Sequence, residues 1–276
     1  MEKNKKLDIM WKYVIFAYLL FWTMVLGICG PASIAFHAPN LTMRWLSDLC
    51  AWSPTFALLI MFKKLKPHMT LKEFYRRAFS GKLKAEPLII TACAVIGGTL
   101  LTVLILSMVE RKNFASFFSL GMYSIPLSFL LSLLSGPTGE ESGWRGYLRH
   151  ELEGRFGFIK GSLVLGIVWA FWHTVLWFVD SDFTGVSLIP YIISNVVVMT
   201  SLVIIMNVVL KRNDNLFYAI WIHFNFNFLY SFIKANITFY VILSIVYAII
   251  AASFLLWHLK ASKQFQGNSV DTSAIL

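Results

Sequence analysis

Charge is what this chain has least of. Only 14% of its 276 residues are Asp, Glu, Lys or Arg, against about 25% in an ordinary soluble domain. Acidic residues are scarcest, 14 against 24 basic. That scarcity, beside a hydrophobic content of 58%, excludes a disordered chain, a coiled coil and a soluble enzyme. Cysteine is nearly absent as well. Cys29, Cys50 and Cys93 stand apart in apolar stretches without Cys-x-x-Cys spacing. This excludes a disulfide scaffold and a cysteine metal site, and the three read as small buried hydrophobes. His-Glu-x-x-His, the helical zinc-protease spacing, does not occur. The net charge of +10 would point to nucleic acid in a soluble protein. Here it reads as basic loops beside anionic lipid, with no nucleic-acid partner.

Long apolar runs are present in number. Segments of about 17–25 residues bounded by charge are the signature of membrane-crossing helices. Eight are expected, near 10–30, 46–62, 87–109, 121–148, 161–179, 188–210, 216–233 and 237–258. The second is the weakest, being interrupted by Asp48 and Pro54. The first is too long for the apolar core of a signal peptide and reads as a retained span. No internal repeat or low-complexity linker divides the sequence. The expected fold is therefore all-α: one polytopic membrane domain over 1–276, an eight-helix transmembrane bundle with a polar tail at 264–276.

Basic residues orient it. With the N-terminus inside, the inner segments hold four Lys in 1–12, eight Lys or Arg in 63–84, three in 149–160, and pairs at 211–212 and 260–263. The outer segments hold only Arg44, Arg111, Lys112 and Lys234. The positive-inside rule then predicts both termini in the cytoplasm. The basic stretch 63–84, with Leu65, Phe74, Tyr75 and Phe79 among its bases, fits either an amphipathic interfacial helix or a solvated loop.

A charge at the bilayer centre costs on the order of 3 kcal/mol on insertion scales, so charges inside spans need a reason. Glu140, Glu141, Arg145, His173 and His223 lie inside spans, with Asn227 one turn beyond the last. Counting about 1.5 Å per residue from the inner span ends puts Glu140, His173, His223 and Asn227 in one layer, roughly 10–18 Å deep from the cytoplasmic side. That depth suits a substrate arriving from inside. His223 and Asn227, four apart, share a helix face, as do Glu141 and Arg145, whose spacing suits a structural ion pair. Glu140 lies off that face and is the better candidate for a working carboxylate. Just upstream, Ser135-Gly136-Pro137-Thr138-Gly139 predicts a broken helix. Thr138-x-x-Glu141 fits a capping box at its restart.

The motifs resemble those of the CPBP family of intramembrane proteases, the CAAX proteases and bacteriocin-processing enzymes also called the Abi family. Its first motif, Glu-Glu-x-x-x-Arg followed by Gly-x-Leu, reads Glu140-Glu141-Ser142-Gly143-Trp144-Arg145-Gly146-Tyr147-Leu148 here. Its second, Phe-x-x-x-His, is met by Trp169-Ala170-Phe171-Trp172-His173, with tryptophan for phenylalanine. Its third, His-x-x-x-Asn, is His223-Phe224-Asn225-Phe226-Asn227. The motifs span about 138–228, within a protease core of about 120–235. The resemblance implies an intramembrane endopeptidase of the CAAX prenyl endopeptidase or bacteriocin-processing and immunity type, in a bacterial plasma membrane. Its partners would be membrane lipid and a peptide or protein substrate, prenylated or otherwise membrane-associated.

For hydrolysis, Glu140 and His173 would activate a water, His223 and Asn227 would bind the oxyanion, and Glu141 and Arg145 would support them. The resemblance favours this glutamate-type, cofactor-free chemistry. The same groups also allow a metalloprotease, with Zn²⁺ on Glu140, His173 and His223. Two readings from other classes use the same residues: a proton-coupled transporter, and a non-catalytic immunity or scaffold protein.

Overall fold

The computed structural model describes residues 7–119 and 123–272, with side chains to residue 262. Among the described residues there is no strand beyond one isolated bridge, Phe118 to Ile233. The helices are α1 (Ile9–Ile34), α2 (Asn40–Leu65), α3 (Leu71–Ala78), α4 (Ala85–Glu110), α5 (Ile125–Leu134) and α6 (Gly136–Glu141). Beyond a π-helical turn at Ser142–Leu148 come α7 (Arg149–Trp172), α8 (Thr174–Val179), α9 (Leu188–Asn213), α10 (Phe217–Tyr230) and α11 (Ile237–Thr272).

Six helical runs are long and apolar enough to cross a membrane: Ile9–Ile34, Asn40–Leu65, Ala85–Glu110, Ile125–Val179, Gly185–Asn213 and Ile237–Ser262. The difference from the expected eight arises at two places. The 55-residue run Ile125–Val179 holds both the fourth and the fifth expected spans. It folds back at Gly157, whose φ of 75° is open to glycine and costly for other residues. A methyl on Gly161 would stand 3.0 Å from the Glu153 Cα, so the two limbs touch where a straight helix would hold those residues about 12 Å apart. The expected span 216–233 is the 14-residue α10. At about 21 Å it falls short of the roughly 30 Å hydrocarbon core. The interrupted second span forms after all. It hitches at Trp52, Pro54 sits in the first turn of its second half, and Asp48 pairs with Arg44 at 3.1 Å. The basic stretch carries a real amphipathic helix, α3. Thr70 and Glu73 form its capping box, and Phe74 is its buried anchor.

One apolar core runs from Met10 to Ala251. α9 packs on α7 and α11, α4 on α10 and α11, and α1 on the second half of α2. The cysteine expectation holds for two of three. Cys29 and Cys50 are buried, with sulfurs 3.7 Å apart, but Cys93 is exposed on the outer side of α4. An apolar run does not reveal which of its faces meets lipid. The polar tail 264–276 lies outside the residues whose side chains are described.

The two ends of the bundle differ in charge. At one end Asp8 bonds Arg155 (2.7 Å), Lys66 bonds Glu151 (2.6 Å), Lys211 bonds Glu153 and Arg149 bonds Asp214 (3.2 Å). The α3 segment closes onto that end through the Leu216 N–H, which donates to the Ala78 carbonyl at 2.7 Å. At the other end the chain before residue 120 meets the α10–α11 loop. The Lys234 N–H donates to the Phe117 carbonyl (2.9 Å), and the Asn236 amide donates to Glu110 (2.5 Å).

Candidate active site

The predicted helix break exists. Ser135 leaves the helical region with a ψ of −116°, and Pro137 falls in the first turn of α6, where a missing N–H costs nothing. Thr138 does not form the expected capping box. Its hydroxyl turns back and donates to the Leu133 and Leu134 carbonyls at 3.0 and 3.3 Å, which the break leaves open. Glu141 is thereby released for another task.

That task is charge pairing. One Glu141 carboxylate oxygen accepts from Arg145 Nη1 at 3.1 Å and from His223 Nδ1 at 2.7 Å, and neither Glu141 nor Arg145 has any exposed side-chain surface. The expected ion pair is present and takes in the histidine of α10. With Nδ1–H given to a carboxylate, Nε2 is the His223 nitrogen left to face the break. It lies 2.6 Å from where a methyl on Gly136 would stand, and the Glu140 Oε1 lies 2.7 Å from the same point. Only a residue without Cβ lets these two groups flank one space.

Glu140 is oriented separately. Its Oε2 accepts the indole N–H of Trp169 at 2.5 Å, leaving Oε1 on the Gly136 side. Trp169 touches Glu140, Arg145, His173 and His223. The Arg145 guanidinium lies over its ring, 4.1 Å from the centroid, and its edge meets His223 at a centroid distance of 5.2 Å. Its carbonyl receives His173 Nδ1–H at 2.9 Å. A carbonyl only accepts, so His173 keeps an unprotonated Nε2 when neutral, with its tautomer set by the backbone.

Glu140, His173, His223 and Asn227 line one cavity of about 470 Å³. Its floor is α6 with Trp169. Its walls are apolar, with Phe21, Leu131, Leu202 and Phe226 among them. Towards the other end lie Asp48, Tyr123, Arg44 and Ser231, with Arg44 40% exposed and Ser231 exposed. These partly exposed lining residues lie at the end away from the basic stretches. Below the floor, Glu141, Trp144, Arg145 and Leu148 are all at 0% exposure and plug the bundle towards Arg149. Counting residues to a span end measures depth, and packing decides which end stays open.

The zinc alternative was tested on the donor set. Among the described residues no three His, Cys, Asp or Glu side chains gather closely enough to hold a metal ion. Glu140, His173 and His223 surround a space instead, with one oxygen of Glu140 and one nitrogen of each histidine already bonded to protein partners.

All six site residues expected from sequence thus fall in one region, four on the cavity and two beneath it. Sequence reasoning missed two others. Trp169 looked like a neutral exchange of one aromatic for another. Its extra indole donor was the available signal. Gly136 looked like part of a helix break, and its contact with α10 had no local signature.

The comparisons fit this geometry. Residues 122–229 match the family model described as type II CAAX prenyl endopeptidase Rce1-like. That segment is similar to the Rce1-like family over less than half of the chain. It contains all three motifs and every cavity-lining polar group of the proposed chemistry. The chain is also similar to CAAX prenyl protease 2 of Methanococcus maripaludis, 31% identical over 136 residues, which cover 48% of this chain and 49% of that protein. The chain thus aligns with about half the length of that relative.

Proposed function

We propose that this protein is an intramembrane endopeptidase of the CPBP type, working as one domain, with both termini in the cytoplasm of a bacterial plasma membrane. One observation carries the activity: a carboxylate, two imidazoles and an amide from α6, α7 and α10 line a single cavity. Glu140 Oε1, assisted by the unprotonated His173 Nε2, takes a proton from a water as its oxygen attacks the scissile carbonyl. The Asn227 amide and a protonated His223 Nε2 donate to the tetrahedral oxyanion, and Glu141 balances the imidazolium charge. When the C–N bond breaks, the proton held at Glu140 passes to the leaving amine. Water and peptide become acid and amine, and no step requires a metal.

The relative's printed name, with the apolar cavity walls, supports a membrane-associated peptide as substrate, prenylated tails included. Glu140→Gln tests the proposal. It keeps the shape and the Trp169 bond but removes the base. Purified Glu140→Gln is expected to unfold at the wild-type temperature, bind peptide and lose at least 100-fold in cleavage rate, while the wild type keeps its rate in chelator. Full activity in Glu140→Gln would refute the mechanism.

A further inference from the structure

Two observations made independently meet at the cavity mouth. The first is where the cavity opens. Along α10, His223 is buried, Asn227 is partly exposed and Ser231 is exposed. Along α2, Asp48 is 5% exposed while the Arg44 side chain is 40% exposed. Both gradients rise towards the end that carries the 111–119 and 231–236 loops. In the opposite direction the floor is sealed by residues with no exposed surface.

The second observation is charge. The sealed end carries Lys12, the 63–84 stretch, the start of α7 and the end of α9. The contacts of Asp8 with Arg155, Lys66 with Glu151 and Leu216 with Ala78 hold these at one face. The open end carries only Arg44, Arg111, Lys112 and Lys234. Short basic loops stay on the cytoplasmic side during insertion. The face that holds almost all the basic residues is the cytoplasmic one, and the mouth is on the other.

We propose that the cavity opens to the non-cytoplasmic side of the membrane, so that its substrate is a peptide segment presented there: an exported polypeptide, or the outer juxtamembrane part of a membrane protein. The proposal rests on the endopeptidase reading for the word substrate, and on packing and charge alone for direction. Arg44 is the one Lys or Arg among the described residues lining this cavity. It offers an incoming segment a cation at the entrance, before the apolar walls and the acid at the floor.

The test separates direction from chemistry. Cys93→Ala in the full chain serves as the blank, since Cys29 and Cys50 are buried. Ser231→Cys and Lys112→Cys report the mouth end, and Lys82→Cys reports the basic end. All three are exposed surface positions. Cells expressing each variant are treated with a membrane-impermeant maleimide, intact and after lysis. Ser231→Cys and Lys112→Cys are expected to label equally in both conditions, and Lys82→Cys at least tenfold more after lysis. Labelling of Lys82→Cys in intact cells, alone or beside the other two, overturns the proposal. So does protection of both mouth positions until lysis. In parallel, one membrane-anchored reporter peptide is displayed on either side of the membrane, with Glu140→Gln as control. Cleavage only on the outer side supports the proposal, and cleavage on the cytoplasmic side overturns it. Outward labelling with neither reporter cut leaves the direction standing and counts against the peptidase reading.

Discussion

Trp169→Phe isolates the contribution of one N–H to the proposed chemistry. The change keeps an aromatic ring, the family's usual residue, and the backbone carbonyl that holds His173. It removes the donor that sits 2.5 Å from Glu140 Oε2. A hydrogen bond to a charged group contributes about 1.5–3 kcal/mol. If that bond orients the carboxylate for proton abstraction, its loss falls on the barrier, and about 1.4–2.8 kcal/mol corresponds to a 10- to 100-fold lower kcat. Substrate does not need the indole N–H for binding, so KM is expected to stay within about twofold. The smaller ring also leaves a gap and weakens the stack with Arg145, costing roughly 1–2 kcal/mol of stability. That loss reads out as a lower unfolding temperature in detergent. The assay is steady-state cleavage of a fluorogenic peptide beside thermal unfolding of the same preparation. Unchanged kcat with the expected loss of stability would show that Trp169 only fills space. A rise in KM with kcat intact would show that it lines the binding surface instead.

Gly136→Ala would place a methyl 2.5 Å from His223 Cε1 and 2.7 Å from Glu140 Oε1. It is expected to cut kcat at least tenfold, and wild-type turnover would refute the shared space. Glu141→Gln leaves the buried Arg145 charge without its partner, which typically costs about 3–5 kcal/mol. Denaturant or thermal unfolding should show this, with much of it recovered in Glu141→Gln/Arg145→Met. A Glu141→Gln protein as stable as wild type would contradict the pairing. At the basic end, the hydrogen bond from Arg155, then that from the Met10 N–H, holds the Asp8 carboxyl below its ordinary value. A lowered folded-state value gives stability that is present above the ordinary carboxylate range and lost as pH falls through the folded value. The unfolding temperature of Asp8→Asn should therefore lie slightly below wild type at neutral pH and converge with it on acidification. A gap that persists below pH 3 would refute the linkage.

Much of the site was legible because its residues are expensive where they sit. Glu140, Glu141, Arg145, His173 and His223 stand out of apolar runs, and a charge in hydrocarbon is retained only for a reason. Helical spacing then paired Glu141 with Arg145 correctly, since residues four apart on a helix are neighbours whatever the helix packs against. The break before Glu140 was equally local, following from Pro137 and its flanking glycines. The cap at that break was misread because Glu141 had a stronger partner on α10 than the one its own helix offered. The structure does not confirm the expected count of eight spans, for a related reason. Hydropathy sees apolar length. It does not see that α10 is held by its neighbours while shorter than a bilayer.

What the sequence determined by itself was the solvent, the helices and the inventory of chemical groups. Each depends on composition or on contacts within a few residues. What only the tertiary structure decided was which groups meet: Glu141 with His223, Trp169 with Glu140, and Gly136 between carboxylate and imidazole. It also decided which end of the bundle is plugged and which is open. Those outcomes depend on how helices distant in sequence cross, and periodicity along one helix carries no information about the angle or height at which another arrives.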